Sequence, residues 1–280
     1  MKVLVASDLT AAADRALARA ASLARQPTDT IHVVHVVDAS LPHDLQGPAL
    51  EWARTVLARQ LEDIQGPRTS FEVVAGRLRP VILAQLKSLD ADLLVLGRRD
   101  PDPEASPFIE TAAGHLLREC QRPALVVRDA PRQPYQNVVI GVDFSVQSRA
   151  ALRQARQVAP DACLHLVHAD DNPFADRPEA AELGSLDYSR RLEHEAFLAA
   201  EMELLTRALI EAGHPADRLT SEIAEGTPEA ALGQAFRRTS ADLLIIGTHG
   251  RTGLFRALWG SVATRLLETP FCDTLVVKAP

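Results

Sequence analysis

Hydrophobic positions along the chain alternate between two patterns. Short, nearly unbroken apolar runs recur at 3–6, 31–37, 70–75, 92–96 and 124–128, and again near 138–142, 163–168, 219–224, 242–246 and 274–278. Between them apolar residues recur with helical period at 11–25, 49–64, 79–88 and 111–119, then at 146–157, 188–212, 228–238 and 261–268. Runs such as LLVL lack the polar alternation of a half-exposed strand, so they fit strands buried on both faces. Strands and helices in alternation predict an α/β chain made of two units, each a five-stranded parallel sheet flanked by helices. In the helix around 189–212, Leu192, Phe197, Leu204, Leu205, Ala208 and Leu209 read as a stripe facing the sheet.

The two halves repeat one another. ADLLVLG at 91–97 returns as ADLLIIG at 241–247, and Gly76 and Gly226 follow their strands at the same offset of 150. VLVASDLT at 3–10 resembles VIGVDFSV at 139–146, and HVVHVVD at 32–38 resembles LHLVHAD at 164–170. These early pairs lie closer together in the chain, so the second copy carries an insertion of roughly 15 residues between Asp170 and Tyr188. Two prolines in DAPRQPYQ mark the join, which gives a first domain over 1–130, a linker over 131–136 and a second domain over 137–280.

Charge and composition exclude several classes. The net charge of -7 gives no basic face for a nucleic-acid backbone. Cys120, Cys163 and Cys272 form no CxxC pair, which argues against zinc sites and a disulfide framework. No apolar stretch approaches the roughly 18 residues that span a bilayer, and MKVLVASD reads as a core strand rather than a signal peptide. The expectation is a cytoplasmic protein with neither nucleic-acid nor membrane partners.

Candidate chemistry lies after the fourth strand of the second copy. Gly247, Gly250 and Gly253 are spaced by three, and Gly260-Ser261 precedes the helical run VATRLL. Glycine lets backbone approach a ligand with no Cβ in the way, and consecutive amides in such a loop can bind anions. The helix start adds free N–H groups and a partial positive charge. Alone, Gly-Ser before a helix equally fits an ordinary N-cap.

Gly247-x2-Gly250-x9-Gly260-Ser261 resembles the signature of ATP-binding universal stress proteins, and Val142-Asp143-Phe144-Ser145 resembles the end of that family's first strand. The resemblance covers the whole chain as a tandem member with two Rossmann-like domains. It implies that Asp143 lies near adenine or ribose, and that Ala169 stands where the family often uses Val against adenine. It further implies that Gly247, Gly250, Gly260 and Ser261 cradle ribose and phosphates, with Thr248, His249, Arg251 and Val262 lining the same loop. ATP is the implied ligand; magnesium could accompany it, but no carboxylate cluster identifies ligands for the ion. The family's fifth strands commonly pair antiparallel, which implies an internal pseudo-dimer here and leaves association of two chains open.

The first copy departs from the signature. At the offset of 150 it keeps Gly97 and Thr111 but has Asp100 and Glu110 where the signature requires glycine. Residues 97–117 hold four acids against Arg98 and Arg99, whereas residues 247–267 hold Arg251, Arg256 and Arg265 and no acid. Two like charges about 4 Å apart repel by roughly 4 kcal/mol at an effective dielectric near 20. A charge-assisted hydrogen bond returns only about 1.5–3 kcal/mol. The first copy is therefore expected not to hold a triphosphate, its arginines instead pairing with Asp100 or Glu110 as structure.

Nothing in the chain supplies an evident nucleophile and base: there is neither a G-x4-G-K-[ST] loop nor a G-x-S-x-G elbow. His32 and His35, like His165 and His168, are three apart on a strand and so face opposite sides, which prevents either pair from chelating one ion. The reading is a nucleotide-dependent regulator in stress response. Slow ATP hydrolysis and a ligand-independent interaction scaffold are the alternatives.

Overall fold

The computed structural model describes residues 1–62, 64, 68–99, 107, 110–171, 185–248, 261–268 and 270–278. In chain order the elements of the first repeat are β1 (Lys2–Ser7), α1 (Ala11–Leu23), β2 (Thr30–Asp38), α2 (His43–Glu62), β3 (Arg68–Gly76), α3 (Leu78–Ser88), β4 (Leu93–Gly97), α4 (Ala112–Glu119) and β5 (Ala124–Val127). The second repeat gives β6 (Asn137–Gly141), α5 (Val146–Val158), β7 (Cys163–Asp170), α6 (Ser185–Glu211), β8 (Leu219–Glu225), α7 (Pro228–Thr239), β9 (Leu243–Gly247), α8 (Ser261–Glu268) and β10 (Asp273–Val277).

Backbone contacts divide the described residues into two compact units. One holds the chain up to Pro134 together with α8 and β10, and the other begins at Tyr135 and ends with β9. In the first unit the strand order is β3-β2-β1-β4-β5-β10. The first five strands run parallel. β10 pairs antiparallel with β5, Leu275 opposite Leu125. In the second unit the order is β9-β6-β7-β8, all parallel. Strand order reverses between β1 and β4, and again between β6 and β9. These are the switch points beyond which ligands bind in open α/β sheets.

The apolar runs behave as their composition requires. Leu93 through Leu96 and Leu243 through Ile246 are all buried, as strands covered on both faces must be. Gly97 and Gly247 close these strands where a helix start passes tightly overhead. A Cβ on Gly97 would lie 2.1 Å from the carbonyl oxygen of Ala12, and one on Gly247 would lie 2.9 Å from Cβ of Gln147.

Three readings from the sequence need correction. First, Leu205 and Leu209 of α6 are buried, but with Leu198 and Met202, while Leu192, Phe197 and Leu204 are exposed. The buried set has i, i+4, i+7, i+11 spacing; Phe197 and Leu204 each lie about 100° around the helix from the buried residue that follows them, and Leu192 about 120° from Leu198. Second, α2 starts at His43 rather than near 49 and carries Pro48 inside it. The Gln46 amide supports the entry by donating to the carbonyls of Ala39 and Leu41 at 3.1 and 2.8 Å. Third, strand pairing moves the repeat alignment by one residue. Leu4 opposes His32 and Val139 opposes His165, so β1 maps onto β6 with an offset of 135 rather than the 136 of the VLVASDLT match. Asp8 then corresponds to Asp143 and Leu9 to Phe144, and both of the latter take left-handed φ, 60° and 62°.

Candidate functional site

The end of β6 turns sharply into α5, and short polar side chains stabilise the turn. One carboxylate oxygen of Asp143, Oδ1, accepts hydrogen bonds from the Ser145 backbone N–H at 3.1 Å, from the Ser145 hydroxyl and from the Ser148 hydroxyl. Ser148 Oγ in turn accepts from the Asp143 N–H at 2.9 Å, and Ser145 Oγ caps α5 by accepting from the Ser148 N–H. Three donors on one oxygen leave Oδ2 with no hydrogen bond among the described residues.

Beside it, the positive φ of Phe144 brings its ring to 4.5 Å from the imidazole of His168, centroid to centroid. His168 Nδ1–H donates to the Val142 carbonyl at 2.8 Å, which ties the end of β7 to the end of β6. The sequence did not single out Phe144, Ser148 or His168 as parts of this turn. The short polar residues of Asp143-Phe144-Ser145-x-x-Ser148 were the available signal, but a left-handed Phe is invisible to pattern.

Ala169 follows His168, is half-buried and pairs with Ala224. Asp170, closing β7, accepts from His194 Nε2 of α6 at 3.1 Å. Gly247 ends β9 and Thr248 follows it, 1% exposed. The structure thus brings Asp143, Ala169, Gly247 and Thr248 to the carboxyl ends of neighbouring strands in the second unit. Ser261 and Val262 open α8, which belongs to the first unit. His249, Gly250, Arg251 and Gly260 lie outside the described residues, as do Asp100 and the insertion residues 172–184.

The first repeat builds the same turn and completes it differently. Asp8 Oδ1 accepts from the Thr10 N–H at 3.1 Å and from the Thr10 hydroxyl. Its other oxygen, Oδ2, accepts from Arg99 Nε at 2.9 Å and Nη2 at 2.8 Å. Burial alone would raise the Asp8 carboxyl, but the hydrogen bonds from Thr10 and Arg99 together outweigh it and hold it below its ordinary value. Arg99 stands just past β4, and β4 is the neighbour of β1, so the cation and the carboxylate meet at adjacent strand ends. The described partner of Arg99 is thus Asp8, not the loop acids expected from the sequence. Arg98 turns to the last carbonyls of α8, Leu267 and Glu268.

The histidines farther up the strands also repeat. His32 Nδ1 shares a hydrogen bond with Ser70 Oγ at 2.8 Å, and His165 Nδ1 shares one with Thr220 Oγ1 at 2.6 Å. A cavity of about 360 Å³ lined by His165, Thr220, Glu222 and Arg238 lies near the start of β8, away from the strand ends that carry Asp143.

Two copies of a doubly wound parallel unit, each turning at an Asp into its first helix, define a duplicated Rossmann-like protein. The family model described as "Universal stress protein family" matches residues 1–128 and again 134–278. A universal stress protein of Methanocaldococcus jannaschii is 32% identical over 149 residues, covering 52% of this chain and 84% of that one. Universal stress protein E of Photorhabdus laumondii is 26% identical, covering 70% of this chain and 64% of its own length. The crystal structure of a universal stress protein from Archaeoglobus fulgidus superposes over 99% of this chain and 98% of that chain, with a TM-score of 0.70 at 16% identity, which shows the shared fold. The chain belongs to the universal stress protein family, with two tandem copies.

Proposed function

We propose that the second repeat binds one adenine nucleotide, ATP, and that the first does not, so that the protein acts in stress response as a nucleotide-dependent regulator. One contrast carries this reading. The same strand-end carboxylate occurs in both repeats, but Arg99 takes Oδ2 of Asp8, while Oδ2 of Asp143 has no partner among the described residues. A carboxylate oxygen without a partner among the described residues, at the end of the strand next to the one that carries half-buried Ala169, suits the amino or hydroxyl donors of a nucleoside. The glycine signature from Gly247 to Ser261 belongs to the second repeat alone.

In this reading Asp143 accepts from the base or ribose, and Ala169 and Thr248 bound the pocket. The Gly247–Ser261 loop, with His249, Gly250, Arg251 and Gly260, supplies amides to phosphate, and Val262 supports the helix start. Bound ATP supplies phosphate charge for those amides; these residues bind and orient it. The domains run over 1–130 and 137–280, joined by 131–136. The antiparallel pairing of β5 with β10 supports fifth-strand pairing between the repeats. Cys120, Cys163 and Cys272 form no disulfide, which suits a reducing, cytoplasmic setting, and no helix among the described residues is long and apolar enough to cross a membrane.

The test is mass spectrometry of small molecules released from freshly purified protein, followed by calorimetric titration with ATP. One adenine nucleotide per chain is expected. Protein that purifies empty and gives no heat with ATP, ADP or AMP would leave a duplicated scaffold.

A further inference from the structure

The apolar residues of α6 that are not buried form a second line along the helix. Phe197 and Leu204 are 42% and 50% exposed. They lie within about 20° of one another around the helix axis, and about 120° from the centre of the buried set Leu198, Met202, Leu205 and Leu209. Arg190 and Glu211, both exposed, extend the line by seven residues at either end, and exposed Ala200 lies near its middle.

An isolated exposed apolar residue is ordinary on a protein surface. Repetition sets this pair apart. Ala53 and Leu57 of α2 are buried as Leu205 and Leu209 of α6 are, which aligns the two helices at an offset of 152. At that offset Phe197 and Leu204 correspond to Leu45 and Trp52, which are 51% and 61% exposed. Each repeat thus carries two large apolar side chains, seven residues apart, on the solvent side of the equivalent helix. The flanking residues differ. α2 has Arg59 where α6 has Glu211 and Pro48 where α6 has Ala200, and the position of Arg190 falls before α2 begins, at Asp38.

We infer that the outer face of α6 is a self-association surface whose occupant is α6 of a second copy of this chain, antiparallel about a two-fold axis. The charges select this occupant. With the axis passing between Ala200 and Glu201, Phe197 of each copy meets Leu204 of the other, and Arg190 meets Glu211. A shift of about one turn in one direction would set Arg190 against Arg207, and in the other Glu193 against Glu211. Opposite charges at the ends therefore fix the register, while the apolar middle supplies the attraction. Ala200 at the centre lets the two helices approach closely, and the two-fold axis makes every contact twice. One helix pair buries less than the roughly 1,200–2,000 Å² of a stable interface, so the association is weak and reversible. It does not depend on whether a nucleotide is bound.

The test is sedimentation equilibrium of the full chain up to about 0.5 mM, with thermal midpoints measured on dilute protein. The wild type is expected to show a monomer–dimer equilibrium. Phe197→Glu should weaken it at least about tenfold, and Trp52→Glu by less than about twofold. Arg190→Glu should weaken it about fivefold or more, and Arg190→Glu combined with Glu211→Arg should restore most of the loss. All four variants should keep the wild-type thermal midpoint, because the altered side chains face solvent. A wild type that stays monomeric throughout, a dimer indifferent to Phe197→Glu, equal weakening by Trp52→Glu, or a charge exchange that restores nothing overturns the inference. A monomeric wild type whose thermal midpoint falls on Phe197→Glu also overturns it, and shows instead that this chain covers the face itself.

Discussion

The carboxylate of Asp273, on the last strand, accepts a hydrogen bond from Arg19 Nε on the first helix at 3.1 Å, with side chains only 2% and 6% exposed. The same carboxylate accepts from the backbone N–H of Arg128 at 2.8 Å and of Asp129 at 3.2 Å, while Arg19 Nη1 donates to the Gln133 carbonyl at 3.1 Å. A single buried acid thus organises the chain just after β5 and ties it to β10 and α1.

Removing one partner of such a pair leaves the other buried without compensation. Asp273→Ala is expected to cost about 3–5 kcal/mol, read from the urea midpoint. The double variant Arg19→Met with Asp273→Leu should recover much of that loss, because apolar groups of similar volume often replace a buried pair without penalty. A double variant as unstable as the single one would show that the backbone donors of Arg128 and Asp129 carry the site.

Copying the first repeat's loop into the second tests the glycine signature directly. Gly250→Asp with Gly260→Glu is expected to abolish ATP binding in calorimetry while circular dichroism and the thermal midpoint stay close to wild type. The acids bring repulsion of a few kcal/mol against phosphate, more than one amide donor offsets. Unchanged affinity would remove the site assignment.

Burial holds the His32 and His165 imidazoles below the ordinary value of 6.5, with Glu72 partly offsetting this at His32 and Arg238 adding to it at His165. Each ring therefore binds protons more readily in the unfolded chain. Stability from these groups is intact at neutral pH and falls as pH drops below about 6.5. Urea midpoints from about pH 7.5 to pH 5 should decline in the wild type and decline less in His32→Gln with His165→Gln. Identical slopes would rule these histidines out as the cause.

Gly97 and Gly247 separate packing from binding. Gly97→Ala would place a methyl 2.1 Å from backbone oxygen of Ala12, whereas Gly247→Ala meets Cβ of Gln147 at 2.9 Å. Overpacking costs about 1–3 kcal/mol, and Gly97→Ala should lie at the upper end because backbone cannot step aside. Differential scanning calorimetry of the two variants is expected to show the larger loss at Gly97, in the repeat proposed to bind no nucleotide.

Most of the architecture was legible because the apolar runs are dense and their period changes cleanly between strand and helix. Boundaries of β2, α3, α5 and α8 fall within a residue or two of the sequence expectation. What was not legible depended on three-dimensional neighbours. The one-residue shift between β1 and β6 is fixed by strand pairing, which string similarity does not see. The α6 stripe was misread because Leu204 and Leu205 are adjacent in sequence, yet only Leu205 is buried. At the candidate site Asp143 was readable from its motif, but the saturation of Asp8 by Arg99 requires two strand ends to be side by side. Gly247 was read as a ligand glycine, while its close approach to α5, shared with Gly97 and α1, is a reason for glycine that holds in both repeats.

The pairing of β5 with β10 makes the margin of the first repeat depend on a strand from the second. All four residues of β5 are buried, and β10 pairs along its outer side. A gene fission between the halves would therefore release a first product with a bare apolar margin, ready to recruit any strand it meets. In the intact chain β10 occupies that margin and leaves β5 no open edge there.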